Sequence, residues 1–258
     1  VGCVFRTPRW ASTAPADAPD RVVFSYPPRD FADFGDVMFQ LADHYRGAID
    51  HWELWNEPHV SAFWTGTATQ YVELVAVGAD AVRRANPQAT VIGGSLSLWD
   101  EVFMDEAVDA GLLEHIDVLS IHGYSDAFTP KGESAMATRV EALRRKMRAR
   151  GLPRPIWITE HSTHSMSFFE RYWPKFESQR QSHHFRAMAA QVVREHVMAV
   201  ASGVDKVFFY WFWHHGHDYF QRAPINGSMT EPAGAPKPLA VAYAILAWRI
   251  DGARCVGE

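Results

Sequence analysis

The chain has 258 residues, enough for one large domain with a substantial core, and its 47% hydrophobic and 21% charged residues fit a folded globular protein. A formal charge of −5 argues against a nucleic-acid partner, because phosphate binding needs a basic face. No apolar run reaches the roughly eighteen residues that a membrane span requires. The densest basic stretch, Arg144, Arg145, Lys146, Arg148 and Arg150, sits at helical spacing beside Leu143 and Met147 and reads as a solvated helix face.

In chain order, short apolar runs alternate with longer helical patterns, as in repeated β/α units around a parallel sheet. The chain opens at Val1 on the apolar segment VGCVF, with neither an initiator Met nor a leader-like stretch, which implies processing or truncation upstream. The first strand is expected over Gly2 to Thr7, stopped by Pro8, and a Pro/Ala/Asp-rich loop follows from Ala14 to Asp30. Helical periodicity runs from Phe31 to Tyr45, and a second strand from His51 to Asn56. The next helix spans Thr69 to Ala85 and is ended by Asn86-Pro87, since the residue before a proline avoids helical geometry. A third strand is expected over Thr90 to Gly94, a helix over Asp100 to Ala110, and a fourth strand over Val118 to His122. The basic helix Ser134 to Arg150, the strand Ile156 to Thr159 and the long helix Ser178 to Ser202 come next. A strand over Lys206 to Trp213 and a helix over Leu239 to Trp248 close the pattern. This is an α/β chain of (β/α)8-barrel type with six recognisable units, two short of closure, and it reads as one domain over residues 1–258. Arg21 to Ser25 are the alternative source of an extra strand.

In parallel barrels the residues at strand C-termini point into the functional site. The second strand ends in WELWNEPH, with Asn56 and Glu57, and the fifth in WITEHSTHS, with Glu160. Pro58 keeps Glu57 out of right-handed helical geometry. Two carboxylates in aromatic surroundings are what glycosidic cleavage needs, one to protonate the leaving oxygen and one to attack carbon or activate water. The alternative is a pair of structural ion-pair partners. Ten Trp suit stacking on sugar faces, although core packing accounts for many of them. Phe168, Phe169, Tyr172 and Trp173 form an aromatic cluster suited to distant sugar subsites or to packing on a barrel rim. His214, His215 and His217 are spaced too irregularly for a zinc site, and the chemistry calls for no metal or cofactor. No G-x-S-x-G elbow supports a serine hydrolase. Cys3 and Cys255, at opposite ends of the chain, are expected as two buried thiols, with a disulfide as the alternative.

WNEP on one strand and TE three units later resemble the paired Glu motifs of the glycoside hydrolase clan A barrels. The wider run LADHYRGAIDHWELWNEPH, then ANPQATVIGGS, SIHGYSD, IWITEHSTHS and GVDKVFFYWFW, most resembles family 39, the β-xylosidase-like branch. The resemblance covers nearly the whole chain, and TEHSTHS departs from the family's usual TE-W-N-T.

The resemblance implies a retaining glycoside hydrolase acting on a carbohydrate, a β-xyloside or another plant or microbial polysaccharide. Glu57 matches the acid/base, Glu160 the nucleophile, and Asn56 the residue that bonds the sugar 2-hydroxyl. His122 and Tyr124 match a His-x-Tyr pair whose phenol lies near the nucleophile, with a core histidine as the alternative for His122. Trp211 matches a Trp flooring the sugar site, Trp213 follows it by strand periodicity, and Trp10 matches a loop aromatic. By the same resemblance VGCVF is the third strand of eight, so the first two units and an Arg beside the nucleophile are absent. The strands VGCVF and FFYWF would then be open edges prone to self-association. The family favours an extracellular or periplasmic setting. A carbohydrate-binding barrel without catalysis, or an inactive truncated glycosidase, is the competing reading.

Overall fold

The computed structural model describes residues 1–126, 130–164, 177–212, 228–230, 234–253 and 256. These residues divide into two compact units, Val1–His122 with Lys146–Trp157, and Gly123–Arg145 with Ile158–Glu258.

The first unit opens with strand β1 (Gly2–Val4), the short helix α1 (Asp20–Val23) and helix α2 (Phe31–His44). Strand β2 (His51–Leu54), helix α3 (Ala68–Ala85), strand β3 (Thr90–Ser97), helices α4 (Glu101–Asp109) and α5 (Leu112–His115), and strand β4 (Val118–His122) follow. Because α1 is helical, the segment at Arg21 adds no strand. The start of α2 is set by Asp30, whose carboxylate accepts from Ala32 N, and the start of α3 by a reciprocal capping box between Thr67 and Gln70. Phe34, Met38 and Ala42 form the buried face of α2, and Tyr71, Leu74, Val75 and Val82 that of α3. The side chains of Phe34 and Leu54 fill the space at Gly78, where an added Cβ would come within 2.8 Å of the Phe34 ring.

Every residue of β4 is buried, and so is β3 from Val91 to Leu96, which is the pattern of strands covered on both faces. Parallel registers pair Gly2 with Trp52, His51 with Thr90 and Ile92 with Val118. Between Gly93 and Leu96 the register of β3 on β4 shifts by a bulge, with Gly94 at φ 114° and Ser95 at φ 50°. The Tyr71 hydroxyl stabilises that bulge, accepting from Gly94 N at 2.8 Å and donating to Gly94 O at 3.2 Å.

The second unit holds a two-stranded parallel sheet of β5 (Ser125–Asp126) and β7 (Thr163–His164). Helix α7 (Glu177–Ala201), strand β8 (Lys206–Phe209) and helix α8 (Pro238–Ile250) belong to it as well. Helix α6 (Pro130–Ala149) and strand β6 (Ile156–His161) each run from one unit into the other. Met188, Val192, Met229 and Leu239 form the core of the second unit, with Phe185, Phe209 and Tyr243 packed against it. Helix α8 leaves Val241, Ile245 and Trp248 exposed along one side.

Among the described residues the six-unit pattern is therefore observed: the main sheet has the strand order β1-β2-β3-β4-β6-β8, with β1 and β8 as its terminal strands there. Strand bounds differ from expectation at the functional ends. Strand β2 stops at Leu54, two residues before Asn56, whereas β6 continues through His161 and β3 through Ser97. Cys3 is exposed rather than buried, because β1 ends the sheet, and its Sγ lies 3.6 Å from the Trp55 carbonyl. Cys255 lies outside the described residues. No described helix is long and apolar enough to cross a membrane.

Tyr71→Phe should destabilise the fold by about 1–3 kcal/mol, because it strands the buried Gly94 N–H. Urea denaturation is the check: the midpoint should fall with an unchanged slope, and an unchanged midpoint would show that the hydroxyl does not support the bulge.

Candidate active site

In the first unit the segment after β2 makes a tight turn with two left-handed residues, Trp55 at φ 76° and Glu57 at φ 44°. Non-glycine residues hold such angles only when neighbours over-determine them. Here Trp55 is completely buried, its backbone N donates to Val4 O at 2.9 Å, and its indole donates to Phe63 O at 3.2 Å. Glu57 N donates to Ser95 O at 3.2 Å, and Glu57 O accepts from Val60 N at 2.9 Å. The turn thus lifts Glu57 off the strand, with its side chain 19% exposed.

His122 ends β4 and is 2% exposed. Its Nδ1 lies 2.8 Å from Glu57 Oε1, and its Nε2 lies 2.9 Å from Ser95 Oγ. Ser95 Oγ also lies 3.5 Å from Asn56 Oδ1. Asn56, Glu57 and His122, singled out from the sequence, therefore meet in one cluster, and the residue joining them is Ser95. Nearby His59 is half-buried. Its burial lowers its pKa, against the opposing pull of Glu57 and Asp100, so it is held neutral.

Trp10 stands on the loop after β1, 69% exposed. With Arg6, Asp33, Phe34 and Trp55 it lines a cavity of about 140 Å³.

In the second unit Glu160 lies on β6, and the Tyr124 hydroxyl donates to its Oε1 at 2.5 Å. The phenol therefore meets the carboxylate as the His-x-Tyr pattern implies. Gly123 N donates to Glu160 O at 3.0 Å, tying the end of β6 to the residue just before Tyr124. Trp211 follows β8, and its carbonyl accepts from Met229 N at 3.1 Å. Trp213, the histidines at 214, 215 and 217, and the aromatic cluster Phe168 to Trp173 lie outside the described residues.

Directly after Glu160 stands a polar group that sequence reading missed. His161 Nδ1 donates to Gly123 O at 3.0 Å, and its Nε2 lies 2.9 Å from Glu195 Oε2, with both residues 1% exposed. Gln191 donates to the other Glu195 oxygen at 2.8 Å. His196 donates through Nδ1 to Val192 O at 2.8 Å, and its ring lies edge-on to His161 at 5.3 Å. Burial alone would lower the His161 pKa, but the charge and hydrogen bond of Glu195, with the Gly123 carbonyl, outweigh it and raise the value. Burial first and the His161 charge second push His196 down to about 4. The group thus sets His161, its pKa raised by Glu195, beside His196, its pKa lowered by burial. The departure from the family's pattern at TEHS was the available sequence signal for His161, whereas Glu195, buried in a long helix, gave none.

Parallel strands alternating with helices, with a carboxylate held at the end of β6 and another just beyond β2, place the chain among the α/β proteins of (β/α)-barrel type. The sequence profile of glycosyl hydrolases family 39 matches residues 22–252, and the chain belongs to that family. A curated relative, a β-xylosidase of Caldicellulosiruptor saccharolyticus, is 25% identical over 256 residues, covering 88% of this chain and 49% of the relative. The chain thus spans about half the length of that relative. Among solved structures, the monomeric β-xylosidase of Caulobacter crescentus aligns with a TM-score of 0.67 at 22% identity, over 95% of this chain and 52% of that one. The Croceicoccus marinus glucosidase aligns with a TM-score of 0.68 at 22% identity, over 86% of this chain and 47% of that one.

The two buried histidines should bend the pH–stability curve in opposite directions. His196 is neutral when folded, so stability falls as pH drops from its ordinary value of 6.5 towards about 4, where the unfolded chain takes up the proton. His161 has a raised folded value, so its contribution is fully present below 6.5 and lost as pH rises through that raised value. Denaturation midpoints against pH should show His196→Phe flattening the acid side and Glu195→Gln flattening the alkaline side. Equal curves for all three proteins would show that neither ring is linked to folding.

Proposed function

We propose that this chain is a retaining glycosidase in which Glu57 is the acid/base and Glu160 the nucleophile. The observation that carries this reading is that, in a family 39 chain, each carboxylate has one oxygen within hydrogen-bond distance of a side chain, His122 Nδ1 for Glu57 and the Tyr124 hydroxyl for Glu160. In the first half-reaction Glu160 attacks the anomeric carbon as the glycosidic C–O bond breaks, and Glu57 gives its proton to the leaving oxygen. In the second, Glu57 takes a proton from water, whose oxygen displaces Glu160 from the sugar, restoring both groups and the sugar's configuration. Asn56 bonds the 2-hydroxyl, a contact that strengthens as positive charge develops on the ring. Trp10, Trp211 and Trp213 supply stacking surfaces for sugar rings. A β-xyloside is the proposed substrate, on the strength of the curated relative's name.

Glu57→Ala should lower turnover of poor leaving groups by roughly 10²–10⁴-fold and spare activated aryl glycosides, which need little protonation. Azide should then yield a glycosyl azide of retained configuration, readable by NMR. Glu160→Ala should abolish turnover and give no retained azide product. The opposite pattern would exchange the two roles. Binding of xylooligosaccharides without any hydrolysis by the unaltered chain would favour a carbohydrate-binding protein instead.

Tyr124→Phe removes the donor to Glu160 Oε1. It should lower kcat by about ten- to a hundredfold, the range for a hydrogen bond to a charged group, with KM little changed. Unchanged kcat would exclude a role for the phenol.

A further inference from the structure

Ser95, His122 and Glu57 are connected in the order of a serine-hydrolase triad, yet Ser95 is fully buried and its Oγ cannot reach a substrate. Its hydroxyl needs another explanation, because the residue carries a cost. At φ 50° inside the β3 bulge a glycine would sit unstrained, whereas a side chain there is strained. The backbone duties at this position are ones that any residue could perform: Ser95 N donates to Ser120 Oγ at 2.7 Å and Ser95 O accepts from Glu57 N at 3.2 Å. What glycine could not supply is Oγ, 2.9 Å from His122 Nε2.

We propose that Ser95 is the positioning residue of the acid/base: its hydroxyl selects the tautomer of His122, and the ring then fixes which Glu57 oxygen carries the transferable proton. This deepens the glycosidase reading and rests on it. An ionised carboxylate only accepts hydrogen bonds, so with Glu57 ionised the ring must carry its proton on Nδ1. In the neutral ring that this proposal assigns to His122 there is one N–H, so Nε2 accepts, and a Ser95 O–H is the donor that matches it. With Nδ1–H fixed on Oε1, the transferable proton of Glu57 resides on Oε2. That proton leaves to the glycosidic oxygen in the first half-reaction and is regained from water in the second. Ser95 and His122 exchange no proton. The Nδ1–H bond strengthens when Glu57 becomes anionic, which favours proton donation to the leaving group.

The test uses Ser95→Gly, which removes the hydroxyl and relieves the backbone, and Ser95→Cys, which keeps a weak donor. The first readout is ¹⁵N NMR of the His122 ring, which does not depend on turnover. The unaltered chain should show Nδ1 protonated and Nε2 unprotonated, and S95G should show both nitrogens averaged between tautomers. The second is a comparison of leaving groups. For alkyl xylosides S95G should lower kcat by at least about tenfold with KM within about twofold. Activated aryl xylosides should be affected much less, and S95C should lie between S95G and the unaltered chain. An unchanged His122 spectrum, or equal losses for good and poor leaving groups, would overturn the proposal. If the unaltered chain hydrolyses no glycoside, the glycosidase reading fails by itself, and the tautomer measurement alone decides whether Ser95 sets the ring. If S95G does not fold, S95C is held to the same criteria.

Discussion

The bulge in β3 is the constraint on which the first unit's site depends. A regular strand would have kept Ser95 in the pleat and its carbonyl in the ladder with β4. The extra residue turns the Ser95 carbonyl towards Glu57 N and its hydroxyl towards His122. A bulge breaks ladder bonds, and buried backbone groups cannot be left unsatisfied. Two hydroxyls close the account: Tyr71 serves Gly94, while Ser120 accepts from Ser95 N and donates to Gly93 O at 3.2 Å. The glycine at φ 114° is needed for the same reason, since a Cβ there would run into the Ser120 carbonyl. Core packing, the irregular strand and the candidate acid/base are therefore one mechanical unit, although Tyr71 has the outward look of a helix core residue.

The two carboxylates are held by contrasting means. Glu57 stands beyond the end of its strand on a turn with two left-handed residues, whose strain is opposed by the buried Trp55 anchor. Glu160 stands within β6, where regular strand geometry and the Gly123 amide fix its backbone. A proton-shuttling group must approach a leaving oxygen that moves, so a raised, partly exposed position suits the role proposed for Glu57. A nucleophile, the role proposed for Glu160, gains more from a fixed attack angle, which a strand and a phenol at 2.5 Å supply.

Much of this was legible in the sequence, and for stated reasons. Periodicity placed the main strands and helices within a few residues, because fully covered parallel strands are written as apolar runs and amphipathic helices as a repeat near 3.6. Family resemblance led to the contact of Tyr124 with Glu160 and singled out Glu57 and His122 separately, on different strands, without pairing them. What stayed hidden was the irregular geometry. Nothing in IGGSLS marks which residue leaves the pleat, so β3 was expected to stop at Gly94 and Ser95 drew no notice. The end of β2 at Leu54 was hidden likewise, because apolar Trp55 continues the strand pattern while its backbone has already turned. Glu195 was invisible for a different reason: a Glu in a helix rich in charged residues reads as solvated until the fold shows what faces it.

The buried pair behind Glu160 carries the argument one step further. Taking two ions out of water costs several kcal/mol each, and an apolar pair of similar volume would serve stability at least as well. What an apolar pair could not do is bind several elements at fixed positions simultaneously. His161 donates to Gly123 O, receives Tyr210 N on its own carbonyl at 2.7 Å and meets Glu195 of α7 through Nε2. One residue thereby ties the residue after β4, the end of β6, the residue after β8 and a helix, immediately beside Glu160. The surroundings also explain why the two histidines shift in opposite directions: Glu195 outweighs burial at His161 and not at His196. Burial first, and the His161 ring 5.3 Å away second, lower the pKa of His196, which fills the space as an aromatic ring.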